Sequence, residues 1–289
     1  MSAPTAPSIT DQVSTAATLL FVPADRPERF AKAAAAGADL VVLDLEDAVA
    51  PENKASARRH AADWVAAGHR CAVRVNAAGT PWHDAELAVL APARCAVMLP
   101  KAEDPAIVRR VAQVLGPDVP LIALIETARG VLEAARIAAV ARVRRLALGT
   151  FDLAAELGID PADRAALSAT RQQLVLAAAA AGLPGPIDGV TAAIDDAERL
   201  TDDTRYGARL GFAGKLCIHP RQLAPVAAAL RPSERELIWA VRVIDAVEAG
   251  SGVAVVDGTM VDKPVVDRAQ RILARAGTLP NTDNCEDNP

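Results

Sequence analysis

A chain of 289 residues, 52% of them hydrophobic, is long enough for one large α/β barrel or two smaller domains and apolar enough for a sizeable core. Its net charge of −5 argues against a nucleic-acid or anionic-membrane partner, and no run approaches the ~20 apolar residues of a membrane span. Aromatic residues are only 3%, and alanine runs such as residues 177–181 favour many closely packed helices over a β-sandwich.

The first 17 residues mix Ser, Thr, Ala, Pro and Asp with no basic start or long apolar stretch. They are expected to be a flexible lead, not a signal peptide. A first strand over residues 18–22 ends in a Pro-Ala-Asp-Arg-Pro turn, and Pro27 suits the first position of a helix reaching about Ala36. A second strand, residues 40–43, is followed by Asp44, Glu46 and Asp47, and Pro51 opens a helix that Gly68 closes. The third strand, residues 71–75, carries Arg74 and delivers Asn76; the fourth, residues 95–99, ends at Pro100 and Lys101. A helix over residues 105–115 comes next.

The fifth and sixth strands, residues 121–125 and 146–148, are short, continuously apolar and bounded by turn residues, as strands buried on both faces are. They break off at Glu126 and Asp152. Thr127 caps the helix after the fifth. Arg142, Arg144 and Arg145 form a small basic cluster read as solvated charge. A long helix is predicted from about Pro161 to Ala181, then a short strand over residues 186–190, a helix through Leu200 and Tyr206, and an eighth strand over residues 212–218 that ends in His219 and Pro220.

Strand then helix, eight times, predicts a parallel (β/α)8 barrel over residues 18–231. The open doubly wound sheet is the alternative, but its Gly-rich phosphate turn is missing after the first strand. After residue 231 the pattern changes. A helix capped by Ser233, a hairpin turning at Asp257-Gly258 and a final helix to about Ala276 form an extension over residues 232–277, read as a lid or an oligomer-contact arm. Residues 278–289 are polar and expected to be a disordered tail. The four cysteines, Cys71, Cys95, Cys217 and Cys285, show no metal-ligand or CxxC spacing. The first three read as core residues, which implies a reducing, cytoplasmic compartment.

In parallel α/β folds ligands bind at the C-terminal strand edge. Nearly every predicted strand delivers a polar group there: Asp25 and Arg26, then Asp44, Glu46 and Asp47, then Arg74 and Asn76, Lys101, Glu126, Asp152, Asp188 and His219. Glu126 and Asp152 offer only oxygen ligands and would suit a hard cation such as Mg2+; as mere punctuation, Glu126 is a first-turn helix acid and Asp152 a cap. Arg74 sits in an otherwise apolar strand, so it requires a carboxylate partner, either a neighbouring acid or a substrate. Lys101 and Arg26 are further basic groups for an anionic substrate, and His219 either touches ligand or hydrogen-bonds the backbone.

Seven ordered stretches, Leu20-Phe-Val-Pro-Ala-Asp-Arg-Pro-Glu-Arg29, Val42-Leu-Asp-Leu-Glu-Asp-Ala-Val49, Arg74-Val-Asn76, Leu99-Pro-Lys101, Leu124-Ile-Glu-Thr127, Leu148-Gly-Thr-Phe-Asp-Leu153 and Gly214-Lys-Leu-Cys-Ile-His-Pro220, resemble the citrate lyase β-subunit-like branch of the HpcH/HpaI aldolase family. The resemblance covers about residues 18–275. It implies a Mg2+-dependent barrel that makes or breaks a carbon–carbon bond next to a thioester, as in citryl-, malyl- or citramalyl-CoA lyases, with an acyl-CoA or keto-acid substrate. It implies Glu126 and Asp152 as metal ligands, Glu46 and Asp47 as holders of metal-bound waters, and Arg74 as clamp for the substrate carboxylate. Met260-Val-Asp262 resembles a lid motif in which Asp262 would be catalytic and reach a neighbouring subunit, which implies a homo-oligomer, a trimer or hexamer. Two departures stand out: Ala24 replaces a usual glycine, and Gly189-Val-Thr191 lacks an aromatic-rich segment, which bears on the substrate. Rival functions are a malyl-CoA-type thioesterase, an aldolase on free hydroxy-acids, and a β subunit of a multi-subunit citrate lyase that is inactive without partners.

Overall fold

In the computed structural model, which describes residues 7–248 and 255–278, the chain divides between Ala229 and Leu230 into two compact units. The first opens with a helix, α1 (Ile9–Thr15), followed by eight strands: β1 (Thr18–Pro23), β2 (Leu40–Asp44), β3 (Ala72–Arg74), β4 (Ala96–Leu99), β5 (Leu121–Ile125), β6 (Val143–Leu148), β7 (Ile187–Asp188) and β8 (Gly214–Cys217). All pair in parallel and in chain order, and β8 returns to β1, closing a (β/α)8 barrel. Between and after them run α2 (Phe30–Ala34), α3 (Lys54–Ala66), α4 (His83–Leu90), α5 (Pro105–Leu115), α6 (Ala128–Ala138), α7 (Thr150–Leu157), α8 (Ser168–Ala180), α9 (Ala197–Leu210) and α10 (Leu223–Leu230).

Alternate strand residues point inward, so Leu19, Leu40, Val42, Ala72, Ala96, Met98, Ile122, Leu124, Ala147, Ile187 and Leu216 fill the barrel as one buried cluster. Continuing that alternation, Asp44 lies two residues past Val42 and Arg74 two past Ala72, and the two are register partners across β2 and β3. The barrel interior therefore turns from apolar to ionic at its C-terminal end.

The expectation of a flexible N-terminus is corrected over α1. Ser8 caps this helix with a reciprocal box: its Oγ accepts from the Asp11 N–H at 3.1 Å, and the Asp11 carboxylate accepts from the Ser8 N–H at 3.1 Å. Val13 and Ala16 then join the barrel's interior cluster. Arg145, expected to be solvated, is 1% exposed. From β6 it donates to the carbonyls of Val13, Ser14 and Ala16 at 3.0–3.1 Å and of Gly185 at 2.7 Å. The α1 carbonyls that lack helical partners supply these acceptors.

The other differences are local. Several strands are shorter than their apolar runs, β7 most of all, and α4 forms where no helix is predicted. The expected helix from Pro161 to Ala181 begins only at Ser168; residues 150–157 form α7, and residues 158–167 are turns between the two helices. Asp152 therefore stands in the first turn of α7, beyond the strand and not at its end.

The second unit is a helix, hairpin and helix: α11 (Glu234–Glu248), β9 (Val255–Val256), β10 (Thr259–Met260) and α12 (Lys263–Thr278). Asp257 and Gly258 turn the hairpin with positive φ of 51° and 76°, the geometry of a two-residue type I′ loop. Ala240, Val243, Val256, Ala269 and Ile272 form its own small core. Residues 249–254 and the predicted tail beyond 278, with Cys285, lie outside the described residues.

Candidate active site

Arg74 is fixed from below. Its Nε and one terminal nitrogen donate to the two Asp44 oxygens, each at 2.7 Å, the fork-to-carboxylate geometry that a buried guanidinium requires. Asp44 also accepts from the backbone N–H groups of Glu46 and Ala48, so one carboxylate orders both the arginine and the loop after β2. The remaining Arg74 nitrogen lies 3.1 Å from Glu46 and 3.3 Å from Asp47, and the Phe21 ring lies 4.8 Å under the guanidinium. One of the two partners expected for Arg74, a neighbouring acid, is thus in place. Burial opposes its charge, but the hydrogen bonds and charge of Asp44 outweigh burial and push its pKa up.

Glu126 follows β5 directly and is 4% exposed. One of its oxygens accepts from the Lys101 N–H at 2.8 Å, which the positive φ of Lys101, 47°, aims at it. The other faces Gly149. A side chain at 149 would drive its Cβ into that oxygen, so glycine keeps the space open. The Lys101 ammonium sits among the acids, 3.2 Å from Asp152 and 3.6 Å from Glu46, and these negative neighbours raise its pKa against the effect of burial. Glu126, Asp152, Glu46 and Asp47, expected together from sequence, are thus drawn around Arg74 and Lys101.

The acids carry the mark of an unmet charge. Burial first, and then the proximity of Glu126 and Asp47, lifts the Glu46 carboxyl from the ordinary 4.5 to about 8 despite Arg74. Burial likewise lifts Glu126 to about 7, with Asp152 adding to it. One Glu46 oxygen, although 3.1 Å from Arg74, lacks a hydrogen bond of acceptable angle and is buried. A divalent cation would relieve both groups. Among the described residues no cluster of three or more His, Cys, Asp and Glu is arranged to hold a metal. Mg2+ does not need one: it is commonly held by one or two carboxylates, with waters and substrate oxygens completing its shell. The pair Glu126 and Asp152, with the open face at Gly149, fits that pattern.

The other predicted residues are placed differently. His219 caps a short turn, its Nδ1 accepting from the Arg221 N–H at 3.1 Å, which is the backbone role. Asp188 is buried and paired with Arg171 at 3.0 Å. Arg26 is exposed on the loop after β1. In the second unit, Asp262 is exposed and caps α12, accepting from the Val265 N–H at 3.2 Å.

Sequence reasoning missed a buried layer under the site. The Lys54 ammonium donates to the carbonyls of Leu45 and Glu46, each at 2.7 Å, and to the Asn76 side chain at 2.8 Å. Asn76 in turn donates to Glu86 from its side chain at 2.6 Å and its backbone at 2.7 Å. This chain holds the Glu46 segment in place. Lysine spaced on a helix reads as solvated, so the signal was absent.

Arg74, Asp44, Asp47, Glu126, Gly149 and Asp152 line a cavity of about 410 Å3 together with the apolar side chains of Phe21, Leu124, Leu148, Val190, Leu216 and Ile218. A cavity with few convergent polar groups and an apolar wall is the usual form of a small-molecule site. Residues 17–220 match the family described as HpcH/HpaI aldolase/citrate lyase. A citrate lyase subunit beta-like protein of Mycobacterium tuberculosis is 44% identical over 265 residues, spanning 89% of this chain and 94% of that one. A (3S)-malyl-CoA thioesterase of Cereibacter sphaeroides is 41% identical over 274 residues, spanning 90% and 94%. The crystal structure of CitE from M. tuberculosis in complex with magnesium, acetoacetate and coenzyme A superposes with a TM-score of 0.81 at 43% identity, covering 91% of this chain and 99% of that one.

Proposed function

Since the chain belongs to the HpcH/HpaI aldolase/citrate lyase family, we propose that it is a Mg2+-dependent carbon–carbon lyase. It cleaves, or in reverse forms, a 3-hydroxyacyl-CoA thioester of the citryl-, malyl- or citramalyl-CoA type, giving acetyl-CoA and a 2-keto acid. The observation that carries this reading is one cavity lined by Glu126, Asp152, Arg74 and Asp44 together with apolar side chains. Magnesium and coenzyme A in the complex of the M. tuberculosis relative support it.

Glu126 and Asp152 would hold the ion, and Glu46 and Asp47 would accept hydrogen bonds from its waters. When bound, Mg2+ supplies Lewis acidity next to the hydroxyl and carboxylate oxygens of the substrate. Arg74 offers its outer nitrogen to the substrate carboxylate and, held by Asp44, opposes negative charge without having to reorganise. Lys101, which lies 3.2 Å from Asp152, would be the second cation for the anionic substrate, and Arg26 a third on the rim. As the carbon–carbon bond breaks, the substrate hydroxyl gives up its proton to water and becomes the keto-acid carbonyl, while Asp262, from a second unit that acts as a lid, passes a proton to the acetyl carbon. In this proposal Asp262 serves a neighbouring subunit, so the protein is a homo-oligomer, a trimer or hexamer, and its three buried free thiols suit a reducing cytoplasm.

A second outcome has its own support, because a relative at 41% identity is a (3S)-malyl-CoA thioesterase. Water admitted to the same cavity would hydrolyse the thioester and leave the carbon–carbon bond intact. Incubating the purified chain with Mg2+ and malyl-CoA and identifying products separates them. Acetyl-CoA with a keto acid establishes the lyase; free CoA with the intact hydroxy acid establishes the thioesterase. Absence of any thioester consumption across citryl-, malyl- and citramalyl-CoA would refute both.

A further inference from the structure

A second cavity, of about 190 Å3, shares Thr150, Phe151 and Val190 with the first. Its wall is predominantly cationic: Arg164, Arg171, Arg199 and Lys215 face Asp160 and Asp203. The acids are already engaged. Asp203 accepts from Arg164 at 2.6 and 3.0 Å and from the Thr191 hydroxyl at 2.9 Å. Asp160, exposed to solvent, accepts from the backbone N–H of Ala162 at 2.8 Å. Lys215 is engaged, donating to the Gly189 carbonyl at 2.7 Å and lying 3.9 Å from Asp188.

Arg171 is the informative member. It is 7% exposed, and its Nε donates to Asp188 at 3.0 Å, which accounts for one edge of the guanidinium. Its NH1 nitrogen is buried without a hydrogen-bond partner. Pairing with Asp188 leaves that nitrogen unexplained, and a buried cationic donor is costly to leave unmet. Tyr206 lies 5.2 Å from Arg164 and 5.7 Å from Arg171, which holds both guanidinium planes at the wall. The Thr150 hydroxyl, on the partition between the cavities, is likewise buried and unpartnered. Arg199 stands exposed, with no side-chain partner among the described residues.

We propose that this cavity binds a compact oxyanion, of the phosphate or carboxylate class, between the buried edge of Arg171 and the guanidinium of Arg199. Guanidinium forks match oxyanion geometry, and the volume falls below the roughly 300 Å3 at which drug-sized pockets begin. The site stands beside the ionic cavity and holds no residue assigned to the metal or the proton, so it is independent of the lyase reading.

The test is calorimetric titration of inorganic phosphate, and separately of acetate, into the metal-free full chain. One saturable site is expected for at least one probe; whichever binds identifies the class. Arg199→Gln, at an exposed position that leaves the fold intact, is expected to weaken binding by about tenfold, the loss of one charge-assisted hydrogen bond. Arg171→Lys, which keeps the charge but loses the fork, is expected to weaken it further. Binding unaffected by Arg199→Gln, binding unaffected by Arg171→Lys, or no binding of either probe overturns the proposal.

Discussion

Glu126 is the residue on which the site turns, and its neighbours explain why. It is buried, takes one hydrogen bond from the Lys101 backbone and keeps its second oxygen toward the open face at Gly149. Glu126→Gln and Asp152→Asn are therefore expected to abolish Mg2+-dependent turnover while circular dichroism stays that of the parent; full activity in either variant would remove the metal assignment. The raised pKa values add a pH dependence whose sign follows from linkage. With Glu46 at about 8 and Glu126 at about 7, the metal-free native state holds protons that the unfolded chain releases near 4.5. Stability of the metal-free protein should thus fall as pH rises from about 4.5 to 8. Mg2+ must displace those protons, so its affinity should rise between pH 6 and 8 with proton release. Calorimetry in buffers of different ionisation enthalpy measures that release, and its absence would mean the acids are already ionised.

At the scale of elements, α1 and β6 are joined by a single side chain. Arg145 keeps its charge, although burial lowers its pKa to about 10, and its donors meet four carbonyls from two segments remote in sequence. Arg145→Met would leave those acceptors unmet. We expect a loss on the order of 3–5 kcal/mol, as for breaking a buried polar network, read as a fall in Tm of roughly 5–15 °C in thermal denaturation. An unchanged Tm would show that α1 is held by apolar packing alone. The same scale explains the move of Asp152 from strand end to helix turn. A chain leaving β6 through Gly149 enters α7 at once, and a first-turn acid is favoured there by the helix dipole.

For the whole molecule, the decisive expectation concerns the second unit. Asp262→Asn should leave Mg2+ binding intact and lower turnover by about 10²–10⁴, the usual contribution of a positioned acid or base. If Asp262 serves a neighbouring subunit, co-assembling Asp262→Asn chains with Arg74→Ala chains should restore part of the activity, because some sites then contain both native groups. Activity no greater than that of the separate variants would place Asp262 in the site of its own chain or outside catalysis.

The sequence alone determined the barrel and the polar groups at its mouth. Both rest on local rules: apolar runs of strand length recurring eight times, and an acid or base wherever a run breaks off, as at Glu126 after Ile125 and Lys101 after Leu99. Tertiary structure alone decided which charge faces which. Arg74 takes Asp44, its cross-strand register partner, and Lys101 takes Asp152, 51 positions away. The same holds for burial. Arg145 reads as solvated because a long cation in a basic cluster usually is, and only the tertiary fold brings the Val13 carbonyl, 132 positions away, within reach to satisfy it. A pairing between distant segments depends on strand order and register, which no local stretch of sequence specifies.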